Sequence, residues 1–266
     1  MQIKIEIAEI VAALTFNQEC FLEILNRDYY PFFSEKFPRI HLELETTDEI
    51  HYVQPLEACL TFEDDLCRIR EEYLDGFFDF RTKKGGAKIN LQGLPWALSA
   101  FIRNVFTLLL IIEDDAFVFH ASAVLKGNKV YIFNGRSGSG KTTISRLSKN
   151  CIVLSDDHAV VKKTDDNFFT YATPCWQDYS FGEKKNTAYN IGAIFKLVQD
   201  KEAYLKKINK ASAITELFTI PHIPAEFLPF ERIMDNYHDL LEKIPFYELH
   251  FTKDDSFWRC IDAVER

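Results

Sequence analysis

The sequence is short of positive charge. Lys and Arg number 31 against 40 Asp and Glu, a formal net charge of -9. Proteins that coat nucleic acid or an anionic membrane are usually basic, so neither is expected as a partner. A local basic pocket for phosphate remains compatible with this balance. Cysteine is sparse. Cys20, Cys59, Cys67, Cys151, Cys175 and Cys260 are scattered and form no C-x-x-C pair. That argues against structural zinc and, at this length, against a disulfide framework, and it points to a cytoplasmic, thiol-reducing setting. No apolar run approaches membrane-spanning length; the longest, Val105–Ile112, is interrupted by Thr107. The opening stretch, Met1–Ile7, alternates apolar and charged residues, which reads as a strand rather than a signal peptide. There are no repeats and no low-complexity tracts.

What is present is the composition of a globular protein. Of 266 residues, 47% are hydrophobic and 27% charged, and 24 phenylalanines can furnish the core. The length admits one large domain or two modest ones. Residues 1–94 read as a mixed accessory region of short strands, with alternation at His41–Glu45 and Phe77–Phe80. Lys83–Gly86 reads as a turn, and Glu63–Asp65 as a solvated acidic loop. Residues 95–266 read as the functional domain. Pro95 opens an apolar helix over Trp96–Ile112, because proline suits a first helical turn. After it come strands at Phe117–Phe119 and Ala121–Leu125, a turn at Lys126–Asn128 and a strand at Val130–Phe133. A helix at Lys141–Ser148 and a strand at Ile152–Leu154 complete an α/β unit. Further on, Ile191–Val198 and Phe246–Phe251 read as strands. Ala211–Phe218 and Phe230–Lys243 read as helices, and Asp254 or Asp255 caps a last helix through Val264.

The segment Gly135-Arg136-Ser137-Gly138-Ser139-Gly140-Lys141-Thr142 satisfies G-x-x-x-x-G-K-[ST] at every position, followed by Thr143. Its glycines let successive backbone N–H groups turn inward on an anion. Lys141 suits the β- and γ-phosphates of a nucleotide, and the Thr142 hydroxyl suits a magnesium ion. An apolar strand before the motif and a helix after it supply the context that a chance glycine-rich hairpin lacks.

Two aspartates, Asp156 and Asp157, follow the next apolar strand, at the end where α/β sheets bind ligands. One carboxylate there can hold magnesium, and the other can accept the proton of an attacking hydroxyl or water. By itself such a pair would read as an acidic turn. His120 stands among small residues, His120-Ala-Ser-Ala. It could orient an aspartate, ligate the metal or contact phosphate; alone it would read as a hydrogen-bonded core histidine.

His120-Ala-Ser-Ala, Gly135–Thr143 and Leu154-Ser-Asp-Asp-His158 stand in one order at short spacing. This constellation resembles the HPr kinase and phosphoenolpyruvate carboxykinase superfamily. Thr173-Pro174-Cys-Trp176 and the closing segment Tyr247–Trp258 look more like the compact HPr-kinase-like proteins. The resemblance implies a P-loop kinase domain of that type, with ATP and Mg2+ as cofactors. It also implies γ-phosphoryl transfer to a serine hydroxyl of a peptide or small protein. It is compatible with a homo-oligomer. In the HPr kinases the histidine pairs with the first aspartate, the base, and the second serves the metal; in the carboxykinases the histidine looks more like a metal ligand. On the first pattern, Asp156 is the base held by His120, and Asp157 joins Thr142 on the metal. Lys141 binds the nucleotide and assists transfer. Arg136, Lys184 and Lys185 are further candidates for steadying the moving phosphoryl group. The glycine- and arginine-containing signature of HPr kinases is not found, which argues against HPr itself as acceptor. The substrate arginines of the carboxykinases are not found either. The acceptor could also be a small hydroxyl compound. Two alternatives stand beside the kinase: a non-catalytic ATP-binding sensor, and a carboxykinase-like phosphotransferase or plain NTPase. A GTPase is disfavoured, since the nearest match to N-K-x-D, Asn209–Ser212, lacks the aspartate.

Overall fold

A computed structural model describes residues 1–49, 59–174, 186–218 and 230–264. The chain divides into two compact units, Met1–Leu108 and Leu109–Arg266. Two mixed sheets and six helices among the described residues make it an α/β protein, the class read from the sequence.

The first unit contains β1 (Gln2–Ile7), β2 (Ile10–Phe16), α1 (Glu19–Ile24), β3 (Ile40–Thr47), β4 (Cys59–Glu63), β5 (Leu66–Glu71), β6 (Leu74–Asp79) and β7 (Lys84–Asn90). The strands form one sheet in the order β1-β2-β3-β7-β6-β5-β4. Glu63–Asp65 closes the β4–β5 hairpin as an exposed turn. The expected turn at Lys83–Gly86 is displaced. It ends at Lys83, and Gly85 and Gly86 lie inside β7. A Cβ on Gly85 would stand 2.6 Å from the Phe77 carbonyl oxygen, so these glycines serve close strand packing and not a turn.

The apolar helix is α2 (Leu94–Glu113), longer than its sequence pattern indicated, and the boundary between the units falls within it. With the 3-10 turn before it, it is the one helix among the described residues long and apolar enough to cross a membrane. Of its most apolar window, 67% is buried within the protein.

The second unit holds β8 (Ala116–Lys126), β9 (Lys129–Asn134), α3 (Lys141–Leu147), β10 (Ile152–Ser155), β11 (His158–Thr164), β12 (Asn167–Tyr171), β13 (Ala188–Gln199), β14 (Tyr204–Lys207), α4 (Lys210–Phe218), α5 (Phe230–Lys243), β15 (Phe246–Phe251) and α6 (Phe257–Val264). The two short strands expected around His120 are one eleven-residue strand, β8, with His120 in its middle. On one edge β8 pairs with β9; on the other it pairs with β10 and then β11. β9 continues to β13, β13 to β12 and β12 to β11, so the pairings close a circuit. One face of the sheet packs Phe133, Phe195 and Phe251 against Ile144 of α3 and Phe257 and Ile261 of α6. On β8, Phe117 and Phe119 meet Tyr237 of α5.

Strand direction positions the site. β9 and β10 both run antiparallel to β8 and hence parallel to each other. β13 runs parallel to β9, and β15 parallel to β13. The carboxyl ends of four strands therefore share one rim, where ligands of open α/β sheets bind.

Candidate active site

The loop Gly135–Gly140 leaves the carboxyl end of β9, and α3 begins at Lys141. Two of its glycines adopt positive φ, 79° at Gly138 and 112° at Gly140. Gly140 also has no room for a side chain: a Cβ would lie 2.5 Å from Cζ of Phe251 at the end of β15. Gly138 meets nothing within 4 Å. Gly140→Ala should therefore cost about 1–3 kcal/mol more than Gly138→Ala, the usual range for overpacking. Denaturant unfolding of both variants measures the gap, and equal losses would show that φ alone matters.

The Lys141 ammonium folds back over the loop. Its Nζ donates to Gly135 O at 2.8 Å and Arg136 O at 3.4 Å. Burial lowers its pKa, and the nearby Asp157 charge works the other way. A buried cation held only by neutral carbonyls is suited to an arriving anion. Gln199, at the end of β13, donates to Gly138 O at 2.9 Å and ties the loop to the sheet rim.

Asp156 and Asp157 occupy the break between β10 and β11, and both are buried. The backbone there is pinned from all sides. Ala121 N donates to Asp157 O at 3.0 Å, and the Ser122 hydroxyl to Asp156 O at 3.3 Å. His158 N donates to Ser155 Oγ at 2.9 Å. Thr173 donates its hydroxyl to His158 O at 3.2 Å and its N–H to Leu154 O at 3.4 Å, bracketing the pair.

Two histidines meet the second aspartate. His120 Nε2 lies 2.9 Å from Asp157 Oδ1, the aspartate expected on the metal rather than the one expected to pair with the histidine. The other oxygen, Asp157 Oδ2, is 3.0 Å from His158 Nδ1. Antiparallel pairing puts His120 directly opposite His158, which brings both rings to one carboxylate. His158 had no role in the sequence reading, and one strand gives no sign of a cross-strand partner. Burial opposes ionisation of Asp157, but hydrogen bonds and charge from His120 and His158 outweigh it and hold the carboxyl well below the usual range.

This depressed pKa fixes a pH dependence. An unfolded aspartate titrates near about 3.9, so on acidification the unfolded chain takes up the proton first. The stability that Asp157 contributes is full above that value and is lost as pH falls through it toward the folded pKa. Denaturant unfolding of wild type and Asp157→Asn should show a gap at pH 6 that narrows by pH 3.5. A gap that holds or widens would contradict this assignment.

These groups line one cleft of about 260 Å³. Ser137, Gly138 and Gly140–Thr143 of the loop segment face it, with His120, Asp156 and Asp157. Gln199 and Lys253 complete the lining; the sequence gives no sign of either, because one ends and the other follows a strand far from the motif in the chain. Gly135 and Arg136 contribute carbonyls to Lys141 but do not line the cleft, nor does Ser139. The Arg136 side chain is exposed and does not line the cleft. Lys184 and Lys185, with Cys175 and Trp176, lie outside the described residues. Cys20, Cys67, Cys151 and Cys260 are free thiols.

Among the described residues no group of three or more His, Cys, Asp and Glu side chains is arranged to hold a metal ion. Magnesium in nucleotide sites does not ask for one: it takes oxygen ligands, keeps waters, and uses one or two carboxylates beside the phosphates. The Thr142 hydroxyl and the two aspartates supply such oxygens in the cleft. The donor set thus fits magnesium bound together with a nucleotide. No protein-family model matches the chain, and no curated protein matches it.

Proposed function

We propose that this protein is an ATP- and magnesium-dependent kinase of the HPr-kinase-like type, built on a P-loop kinase fold. It would transfer the γ-phosphoryl to a hydroxyl, foremost a serine of a peptide or small protein. The observation that carries this reading is convergence. A complete phosphate loop and a buried pair of aspartates reach one cleft from the carboxyl ends of parallel strands. A phosphate loop alone serves sensors, motors and kinases alike; the added carboxylates supply what transfer to a hydroxyl needs.

The two aspartates divide the work by environment. Asp157, kept ionised by His120 and His158, is a poor proton acceptor and a good fixed anion. With Thr142 it would hold the magnesium ion, which neutralises phosphate charge when bound. His120 and His158 then orient the metal carboxylate, as hydrogen-bonded partners commonly do for metal ligands. Asp156, which lines the same cleft, would then accept the proton of the acceptor hydroxyl. Lys141 would exchange its loop carbonyls for the phosphates.

The test is incubation with γ-labelled ATP, magnesium and cell extract as acceptor source, followed by mass spectrometry of the labelled species. A phosphorylated hydroxyl that disappears with Lys141→Ala supports the kinase. If ATP binds but nothing is ever phosphorylated, and binding instead changes oligomeric state or partners, the protein is a sensor.

A further inference from the structure

Lys253 is the second lysine of the cleft. It belongs to the turn between β15 and α6, more than a hundred residues from the phosphate loop in the chain. Two contacts tie the ends of β15 and β13 to the loop, and a third set braces the turn itself. Gly140 packs so closely on Phe251 that a Cβ would stand 2.5 Å from the ring. Gln199, in register with Phe251, donates to Gly138 O at 2.9 Å. Asp254 accepts from Ser256 N and from the Thr252 hydroxyl, each at 2.8 Å, and so holds the turn on both sides of Lys253.

Charge supplies the reason for a second cation. The cleft sets Asp156 and Asp157 against Lys141, which leaves the carboxylates in excess before any phosphate arrives. A polyphosphate adds several negative charges to that space, and like charges at a few ångströms repel strongly where water is partly excluded. The Lys253 side chain is exposed and makes no ion pair among the described residues, so its ammonium is available at the rim.

We propose that Lys253 is a second polyphosphate-binding residue, delivered from the end of β15 to the phosphates held by the loop. This rests on the phosphate-loop reading above. Sequence position alone gives no hint of it, because the motif and the lysine are joined only by the parallel register of β9, β13 and β15.

Calorimetric titration with magnesium-ATP and with magnesium-tripolyphosphate, which has no base or ribose, tests the proposal. Wild type, Lys253→Ala, Lys253→Gln, Lys253→Arg and the exposed control Lys149→Ala are compared, each checked for folding by thermal unfolding. Removing the charge should weaken both ligands about ten-fold or more, the usual worth of a hydrogen bond to a charged group. Lys253→Arg should recover most of this, and Lys149→Ala should change nothing. Unaltered affinity in both charge-removing variants would overturn the role of Lys253 and leave the loop reading intact. A loss for ATP but not for tripolyphosphate would place Lys253 on the base or ribose and overturn it too. Failure of wild type to bind either ligand would defeat the loop reading itself.

Discussion

Asp156→Asn is expected to bind ATP as wild type does and to turn it over about 10²–10⁴-fold more slowly, the usual worth of general base catalysis. Phosphoryl transfer asks little covalent chemistry of the protein. It asks for aligned groups, neutralised charge and a base at the acceptor hydroxyl. Asparagine keeps the shape of the side chain, and the backbone there is held by the Ser122 hydroxyl at 3.3 Å, so the position should survive. Asp157 cannot take over, because two histidines hold it ionised. Single-turnover transfer from labelled ATP to the acceptor found in extract, run beside calorimetric ATP titration, separates binding from chemistry. Wild-type turnover in Asp156→Asn would place the base elsewhere, and a matching loss of ATP affinity would make Asp156 a binding residue.

Lys141→Ala is expected to lose nucleotide affinity by about 10–100-fold, the range for charge-assisted hydrogen bonds. Lys141 is 7% exposed, and its ammonium rests on the loop's own carbonyls. An arriving phosphate replaces neutral partners with a charged one inside a partly dry site, where the exchange is most favourable. Lys141→Met serves as the companion variant, since it keeps most of the apolar stem and removes only the charge. Calorimetry should find both variants weak. Full affinity in Lys141→Met would mean that the stem matters and not the ammonium, and full affinity in both would mean that the loop is not the site.

Much of the second unit was legible in the sequence. Phe230–Lys243 and Phe246–Phe251 have the boundaries the sequence indicated. The Lys126–Asn128 turn closes the β8–β9 hairpin with Gly127 at φ 64°. The motif also marked its own flanks, β9 and α3. Other elements carried weak local signals. β11, β12 and β14 were not recognised: β14 is a four-residue strand with no buried side chain, and β11 changes from buried to half-buried residues partway along. β8 was divided at His120, because a polar residue between apolar runs looks like a boundary and is here one position of a continuous strand.

The sequence by itself determined that a glycine-rich G-x-x-x-x-G-K-T segment, an acidic pair and a histidine stand in this order, since each rests on residue type at short spacing. Only the tertiary structure decided which groups meet. The antiparallel register of β8 and β11 carries His120 to Asp157 and brings His158 to the same carboxylate. The parallel register of β9, β13 and β15 brings Gln199 and Lys253 to the Gly135–Gly140 loop. Residue patterns set local conformation over a few positions. Which strand lies beside which is set by packing the whole sheet, and no spacing within one chain segment encodes it.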